Sequence, residues 1–406
     1  MSDTTQEILF NPMDPAFRAN PYPAYRALRE NMPMWRSPFG FWVATRHADI
    51  TAILRDKRMG HDFEGRHMRG PEPWRLDEPA VRSLGQTMLV RDPPDHTRLR
   101  GLVARTFTAR LMEEMRPRIR QIVHDLIDAV EASGEMDVVR DFAHKLPVIV
   151  ICDMLGIPEE DRAQFLERSR VSGRLVDPTP MSREELDLAN TNNLELEAYF
   201  TSLFERRRRE PGDDLTTALV QARDEDGALT DAELMWNTSL LFAAGHETTA
   251  NLIGNGLLTL HRYPEQLARL KAEPGLMPNA IEEILRFESS VQMTGRTAFE
   301  AVEVGGVTIA REESVICLLA AANRDPEAFP TPDPETFDVA RPGVRALSFG
   351  GGIHFCLGAQ LARIEGEEAF SVLLERLPNL RLEGMDDLSW RPTFTLRGLT
   401  TLQARW

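Results

Sequence analysis

Residues able to do chemistry gather in one stretch, Phe349-Gly350-Gly351-Gly352-Ile353-His354-Phe355-Cys356-Leu357-Gly358. Three consecutive glycines, with a fourth just past the cysteine, let backbone approach a partner closely. A helical pattern begins directly afterwards, from Leu357 through Ala369. Cys356 is therefore expected at a helix N-terminus, where unpaired N–H groups and the helix dipole favour a thiolate. Such a thiolate could be a nucleophile, a metal ligand or a redox centre. Zinc would want further Cys or His ligands at short spacing, and only His354 is near. The plainer alternative is a buried free thiol. Glycine density argues against that for Cys356, whereas Cys152 and Cys317 lie in apolar runs and read as core.

A second concentration lies inside a long helical segment. Thr230-Asp231-Ala232-Glu233 is a capping-box start and Pro264 marks the far end. The span, about 33 residues or about 50 Å at 1.5 Å per residue, must cross most of a domain. Its middle reads Ala243-Ala244-Gly245-His246-Glu247-Thr248-Thr249, polar and glycine-bearing between Leu240-Leu241-Phe242 and Leu252-Ile253. Local rules broken at the centre of a buried element mark either a functional site or a satisfied polar kink.

The elements that must position these groups are mostly helical. Thr108 to Ser133 reads as one long amphipathic helix and Leu186 to Arg209 as another, the latter ending in Arg206-Arg207-Arg208-Arg209, read as a solvated helix terminus in preference to a docking patch. Strand signals are few: Phe41 to Ala44, a hairpin of Ala301–Val304 and Val307–Ala310 around Gly305-Gly306, Val315 to Leu319, and the stretch from Phe394 to Gln403. Gly60 to Pro94 and Val176 to Ser182 show no period and read as irregular segments, either lids or plain connections. The fold class expected is mainly α with a small β portion, in a single domain over residues 1–406.

Composition bounds the rest. The chain has 406 residues, 42% of them hydrophobic, enough for a large core. Its net charge of −16 argues against a nucleic-acid partner. Three scattered cysteines suit a reducing compartment. Met1 to Phe10 carries no signal-peptide pattern, and the apolar runs Leu146–Cys152 and Val315–Ala322 are too short to span a bilayer. A cytoplasmic protein without membrane attachment is expected.

The two motifs together resemble a known family. Phe349 to Gly358 looks like the haem-binding loop of the cytochrome P450 monooxygenases, Phe-Gly-x-Gly-x-His-x-Cys-x-Gly, and Ala244-Gly245-His246-Glu247-Thr248-Thr249 looks like their oxygen-activation motif. Glu283-Ile284-Leu285-Arg286 matches the family's Glu-x-x-Arg helix, and Asp92 to Arg100 and Asn323-Arg324-Asp325-Pro326 extend the likeness over essentially the whole chain. In order and in spacing these are similar to the soluble bacterial branch.

The resemblance implies roles residue by residue. Cys356 would be the axial thiolate of haem b (iron protoporphyrin IX), with O2 as co-substrate. Gly350, Gly352 and Gly358 would let the loop lie against the porphyrin, with Ala244 on the opposite side. His96, Arg100, Arg296 and His354 resemble propionate partners, as guanidinium and imidazolium suit carboxylates. Glu247 and Thr248 resemble the acid–alcohol pair that relays protons, which disfavours the peroxide-using branch. Glu283, Arg286 and Arg341 would form a buried structural ion-pair network. By analogy the substrate pocket is lined by Met88, Leu89, Leu240, Leu241, Ala244, Val291, Met293 and Leu396, an aliphatic and methionine-rich set for a hydrophobic small molecule. No reductase domain is fused on this reading. Electrons would come from a separate ferredoxin and its reductase, with Arg363 and Arg105 as docking cations, and the protein would be a monomer. A haem carrier without turnover and a cysteine hydrolase using Cys356 and His354 are the rival classes. Two departures stand out: Ser290 replaces a common proline, and Ala310-Arg311-Glu312-Glu313 replaces the usual Pro-x-Gly turn.

Overall fold

The computed structural model describes residues 10–168, 172–226 and 229–406; the N-terminal stretch read above for a signal peptide lies, but for Phe10, outside the described residues. The long central helix spans Asp231–Arg262 and holds the expected cap. The Thr230 hydroxyl accepts from the Glu233 N–H at 3.1 Å, and the Glu233 carboxylate accepts from the Thr230 N–H at 2.8 Å. These reciprocal bonds satisfy two donors that a helix start otherwise leaves unpaired. The helix stops at Tyr263, ahead of Pro264, because the residue before a proline is driven out of helical geometry.

The helices that frame the site, in chain order, are α1 (His47–Arg55), α2 (Phe63–Arg69), α3 (Asp95–Thr106), α4 (Ala109–Glu114), α5 (Arg116–Glu131), α6 (Lys145–Met154), α7 (Arg183–Arg209), α8 (Asp231–Arg262), α9 (Met277–Phe287) and α10 (Ala359–Arg376). Helices α6, α7, α9 and α10 all pack on α8, and α5 packs along α10. Their apolar faces build one large core holding Leu252, Ile253, Leu257, Ile284 and Phe370. Burial of this kind, about 25 cal/mol per Å² of apolar surface, is the main force holding the bundle.

Among the described residues ten short strands flank the bundle: β1 (Met34–Arg36), β2 (Trp42–Ala44), β3 (Met59–Gly60), β4 (Glu135–Asp137), β5 (Thr294–Ala298), β6 (Val302–Val304), β7 (Val307–Ile309), β8 (Ser314–Cys317), β9 (Arg381–Leu382) and β10 (Gln403–Arg405). The main sheet runs β1-β2-β8-β5-β3, with β2 and β8 parallel and the other pairs antiparallel. Pairing Gly60 with Thr297 brings the segment after β3 alongside β5, which seats α2 next to Gly295 and Arg296. The mainly helical single-domain fold matches the sequence reading, as does the hairpin β6–β7, whose Gly305 and Gly306 both have positive φ.

Four expectations are corrected. The single helix over Thr108–Ser133 is two helices, α4 and α5, broken at Met115; Pro117 has no N–H for a continuing ladder and fits only the first turn of α5. The irregular stretch Gly60–Pro94 contains α2, a 3₁₀ turn at Pro73–Asp77 and a helix at Pro79–Gly85, each too short for a period to register. In the segment Phe394–Gln403 only Gln403 joins a ladder, although Leu396 bridges Val291 and Leu399 bridges Trp390. The Phe394 and Thr395 amides instead donate to the Asp177 carboxylate at 2.7 and 2.8 Å. The helix after the cysteine starts at Ala359 with Gly358 as its cap, so Cys356 lies just outside it.

Candidate active site

The cysteine loop is closed by its own backbone, the Cys356 N–H donating to the Phe349 carbonyl at 3.0 Å. Gly350 sits at φ +70°, left-handed geometry that favours glycine, and a Cβ there would meet nothing within 4 Å. A Cβ on Gly358 would likewise point into open space. Gly352 shares that left-handed geometry at φ +65°, and its Cβ would in addition run into the Leu54 carbonyl oxygen, so this glycine is required both by its backbone and by packing against α1. Cys356 has accessible surface, whereas Cys152 and Cys317 are buried as expected. Crowding by surrounding protein pushes the Cys356 thiol up, opposed by the Gly358 N–H and the Arg100 and Arg363 guanidinium groups. Accessible surface combined with dense surroundings places this sulfur in a recess rather than on a convex face. The dipole argument from sequence is thus outweighed by desolvation: a thiolate here needs a positive charge brought against it.

Beside the loop lies a cluster of groups that bind anions. The His96 and His354 rings stand 4.1 Å apart, and His61 packs edge-on to His354 at 4.5 Å. The Nε2 atoms of His96 and His354 are both buried without a hydrogen-bond partner. Arg100 donates to the Phe355 carbonyl at 2.6 Å, and Arg296, 5% exposed, donates through Nη1 to Thr294 Oγ1 and the Gly295 carbonyl. Burial, followed by the charge of Arg296, holds His354 down at about 3, and burial also lowers His61, His96, Arg100 and Arg296. These shifts belong to the cluster without an anion beside it, and a carboxylate brought there raises them again, as the imidazolium role expected from sequence requires. Unpaired buried donors among arginines lack acceptors, and two carboxylates would supply them. The residues fit a haem edge.

In the middle of α8, Ala244 is exposed and Thr248 half-exposed although the flanking His246, Glu247 and Thr249 are buried. Leu240, Ala244 and Thr248 follow one another at i, i+4 and i+8 and share one face. Thr248 Oγ1 donates to the Ala244 carbonyl at 3.2 Å. Glu247 is 100° further round the helix and its carboxylate is paired with Arg391 at 2.5 Å. Arg391 Nη1 is itself buried without a partner.

The remaining sequence candidates distribute unevenly. Met88 is buried and its N–H donates to Asn237 Oδ1 at 2.9 Å, which ties this segment to α8 one turn before Leu240 and Leu241. Leu89 is 37% exposed, and Val291 and Leu396 meet across a β-bridge. Met293 packs instead into the aromatic cluster of Tyr22, Tyr25, Trp35 and Phe394. Glu283, Arg286 and Arg341 form one wholly buried network. Glu283 accepts from Arg286 at 2.7 and 2.8 Å, from Arg341 at 3.1 Å and from the Asp338 N–H at 3.1 Å. Of the expected docking cations, Arg105 is exposed, but Arg363 is ion-paired with Glu282 and lies 4.6 Å over the Phe349 ring. Sequence reasoning missed His61 and Arg391. His61 sits where no period was visible, and Arg391 is joined to Glu247 only by the fold.

Comparison with known proteins places this arrangement. The family model for cytochrome P450 matches residues 41–386. The vitamin D(3) 25-hydroxylase of Pseudonocardia autotrophica is 44% identical over 392 residues, covering 95% of this chain and 94% of the relative. A putative cytochrome P450 133B2 of Xylella fastidiosa is 41% identical over 391 residues, covering 96% and 97%. The crystal structure of P450BioI in complex with acyl carrier protein ligated to hexadec-9Z-enoic acid superposes with a TM-score of 0.89 at 39% identity, covering 96% of this chain and 99% of that one. The chain belongs to the cytochrome P450 family, and its fold and bacterial hydroxylase relatives make it a P450 monooxygenase, an oxidoreductase of a family that uses haem and O2. Among the described residues no helix is long and apolar enough to cross a membrane.

Proposed function

We propose that this protein is a haem-thiolate monooxygenase of hydrophobic small molecules, using haem b and receiving electrons from a separate ferredoxin-type protein in the cytoplasm. The observation that carries the reading is the pairing, in one recess, of an accessible Cys356 sulfur with buried, unpartnered His96 and His354 nitrogens and two arginines. Cys356 would hold the iron, Gly350 and Gly358 would leave room for the macrocycle, and His96, Arg100, Arg296 and His354 would hold its propionates. When bound, haem would supply activation and reductive cleavage of O2, with the Cys356 thiolate as its electron-rich ligand.

This chain's own part is positioning and proton traffic. Glu247 holds its carboxylate against Arg391, on a different face of α8 from the Thr248 hydroxyl. Proton delivery therefore runs from Glu247 through water to Thr248 Oγ1, and requires Glu247 to leave Arg391 and Thr248 to release the Ala244 carbonyl. Leu240, Ala244, Leu89, Val291 and Leu396 present aliphatic surface to the substrate, which positions a C–H bond by shape and not by charge. The hydroxylase relatives act as support for an apolar substrate. Replacing Cys356 by Ser is expected to abolish the red-shifted band of the reduced, carbon monoxide-bound protein. An unaltered band would remove the ligand role from Cys356.

A further inference from the structure

Inserting one oxygen atom while reducing the other to water consumes protons as well as electrons, so every turnover draws protons from solvent. Glu247 is 4% exposed, and any proton it passes on has to be resupplied through the protein. The face of α8 that carries it is unusual. Glu247, Asn251 and Asn255 recur every four residues and are all buried, on a stretch whose neighbours Ala250, Leu252 and Ile253 are apolar.

The chain after α10 lies over this polar stripe. The Arg391 N–H donates to the Gly398 carbonyl at 3.0 Å, which sets these two residues side by side against α8. Arg391 holds Glu247 through Nη2, and Gly398 comes so close to Asn251 that a Cβ on it would run into the Asn251 amide. One turn further, Asn255 Nδ2 donates to the Arg397 carbonyl at 2.9 Å. Three polar atoms in this contact are nevertheless buried without a partner: Arg391 Nη1, Asn251 Nδ2 and Asn255 Oδ1. A dry interface would leave all of them desolvated and unpaired, which native packing avoids.

The space for a partner is present. A cleft lined by Arg391, Arg397 and Gly398 measures about 20 Å³, room for about one water. Arg391 joins it to solvent, its side chain being 16% exposed although Nη1 is buried. A water in the cleft would accept from Arg391 Nη1 and Asn251 Nδ2 and donate to the Glu247 carboxylate. Those are the few polar partners that a buried water needs.

We propose that this cleft, between α8 and the chain after α10, is the proton entrance of the enzyme, with Asn251 as a positioning residue that holds the entering water against Glu247. The proposal rests on the reading of Glu247 and Thr248 as a relay given above. The proton comes from bulk solvent and passes through the held water to the Glu247 carboxylate, and no electron or heavy atom moves with it. Its arrival cancels the charge that binds Glu247 to Arg391, which frees the carboxyl to turn toward Thr248.

The holoprotein is driven by a surrogate ferredoxin and reductase with dodecan-1-ol as an apolar probe, in H2O and in D2O. The quantity read is the share of electrons that ends in water or oxidised probe and not in hydrogen peroxide. Asn251→Leu, close in shape but unable to hold water, should lower that share by about tenfold and enlarge the slowing in D2O, with the carbon monoxide band kept. Asn251→Ser, which keeps a polar group and leaves room for water, should restore most of both; a purely structural role would give no such rescue. Asn251→Leu with an intact band, an unmoved share and an unmoved isotope ratio overturns the proposal. If Thr248→Ala does lower the share in that case, the entrance alone falls; if it does not, the relay reading falls as well. Should Asn251→Leu fail to fold, a crystal structure of the parent holoprotein decides: an ordered water bonded to Arg391 Nη1 and Asn251 supports the entrance, and a dry contact overturns it.

Discussion

Glu365 offers the sharpest quantitative test of how this core is built. It lies on α10, 1% exposed, and its Oε2 atom is buried without a hydrogen-bond partner. Burial alone raises its carboxyl well above the ordinary 4.5, and no neighbouring charge contributes to that shift. The sign is the reverse of the usual carboxylate case. The folded state keeps the proton while the unfolded chain releases it, so folding loses stability as pH climbs above 4.5, until the folded-state value is reached. The slope is about 1.36 kcal/mol per pH unit wherever the unfolded chain's carboxyl is ionised and the folded one is not. Glu365→Gln keeps the shape and removes the titration. With an unfolding entropy of about 2.1 cal/mol/K per residue over this chain, 1 kcal/mol corresponds to about 1.2 °C. The variant's Tm should therefore gain up to about 1.6 °C on the parent for each pH unit between pH 5.5 and 7.5. Paired thermal melts of the two holoproteins across that range decide it. A Tm difference that stays constant over the two pH units would refute the reasoning, because it would mean that Glu365 ionises in place with a compensating partner.

Three other outcomes are expected. Glu283→Gln leaves Arg286 and Arg341, 0% and 1% exposed, facing each other without an anion; the holoprotein should lose about 3–5 kcal/mol and about 4–6 °C in Tm, and a shift under 1 °C would show the network to be dispensable. Glu312 sits at φ +69° where the turn needs a left-handed residue, so Glu312→Gly should stabilise by about 0.5–1 kcal/mol in denaturant melts, while Glu312→Ala should not. Thr248→Ala, measured with a surrogate ferredoxin and reductase, should cut product formed per electron by about tenfold or more while the carbon monoxide band is kept; retained coupling would exclude Thr248 from proton delivery.

The sequence is most legible where one local interaction decides the structure. The reciprocal cap of Thr230 and Glu233 and the stop before Pro264 fix α8, and the glycine pair 305–306 fixes a hairpin. The site's loop is legible for the same reason, since close approach of backbone demands glycine. Gly352 shows the limit of that logic. Its glycine is imposed not by its positive φ alone but also by the Leu54 carbonyl, some three hundred residues away in the chain, and no spacing rule reports a long-range clash. Arg391 is another such case: nothing beside it signals a partner, and only the path of the chain after α10 carries it to Glu247. Helices of seven residues, such as α2, were missed because two turns give too few positions for a period to register.

The charges of the recess bear on one another in a way that neither motif shows alone. Cys356 is discouraged from ionising by burial, and His354 is discouraged from protonating by burial and by Arg296, His96 and Arg100. One part of the recess therefore lacks a cation and the adjoining part lacks anions. A bound group that is positive at its centre and carries carboxylates at its edge answers both deficits at once, and a bare metal ion answers only the first. Among the described residues no cluster of three metal-ligating side chains exists to hold such an ion by itself.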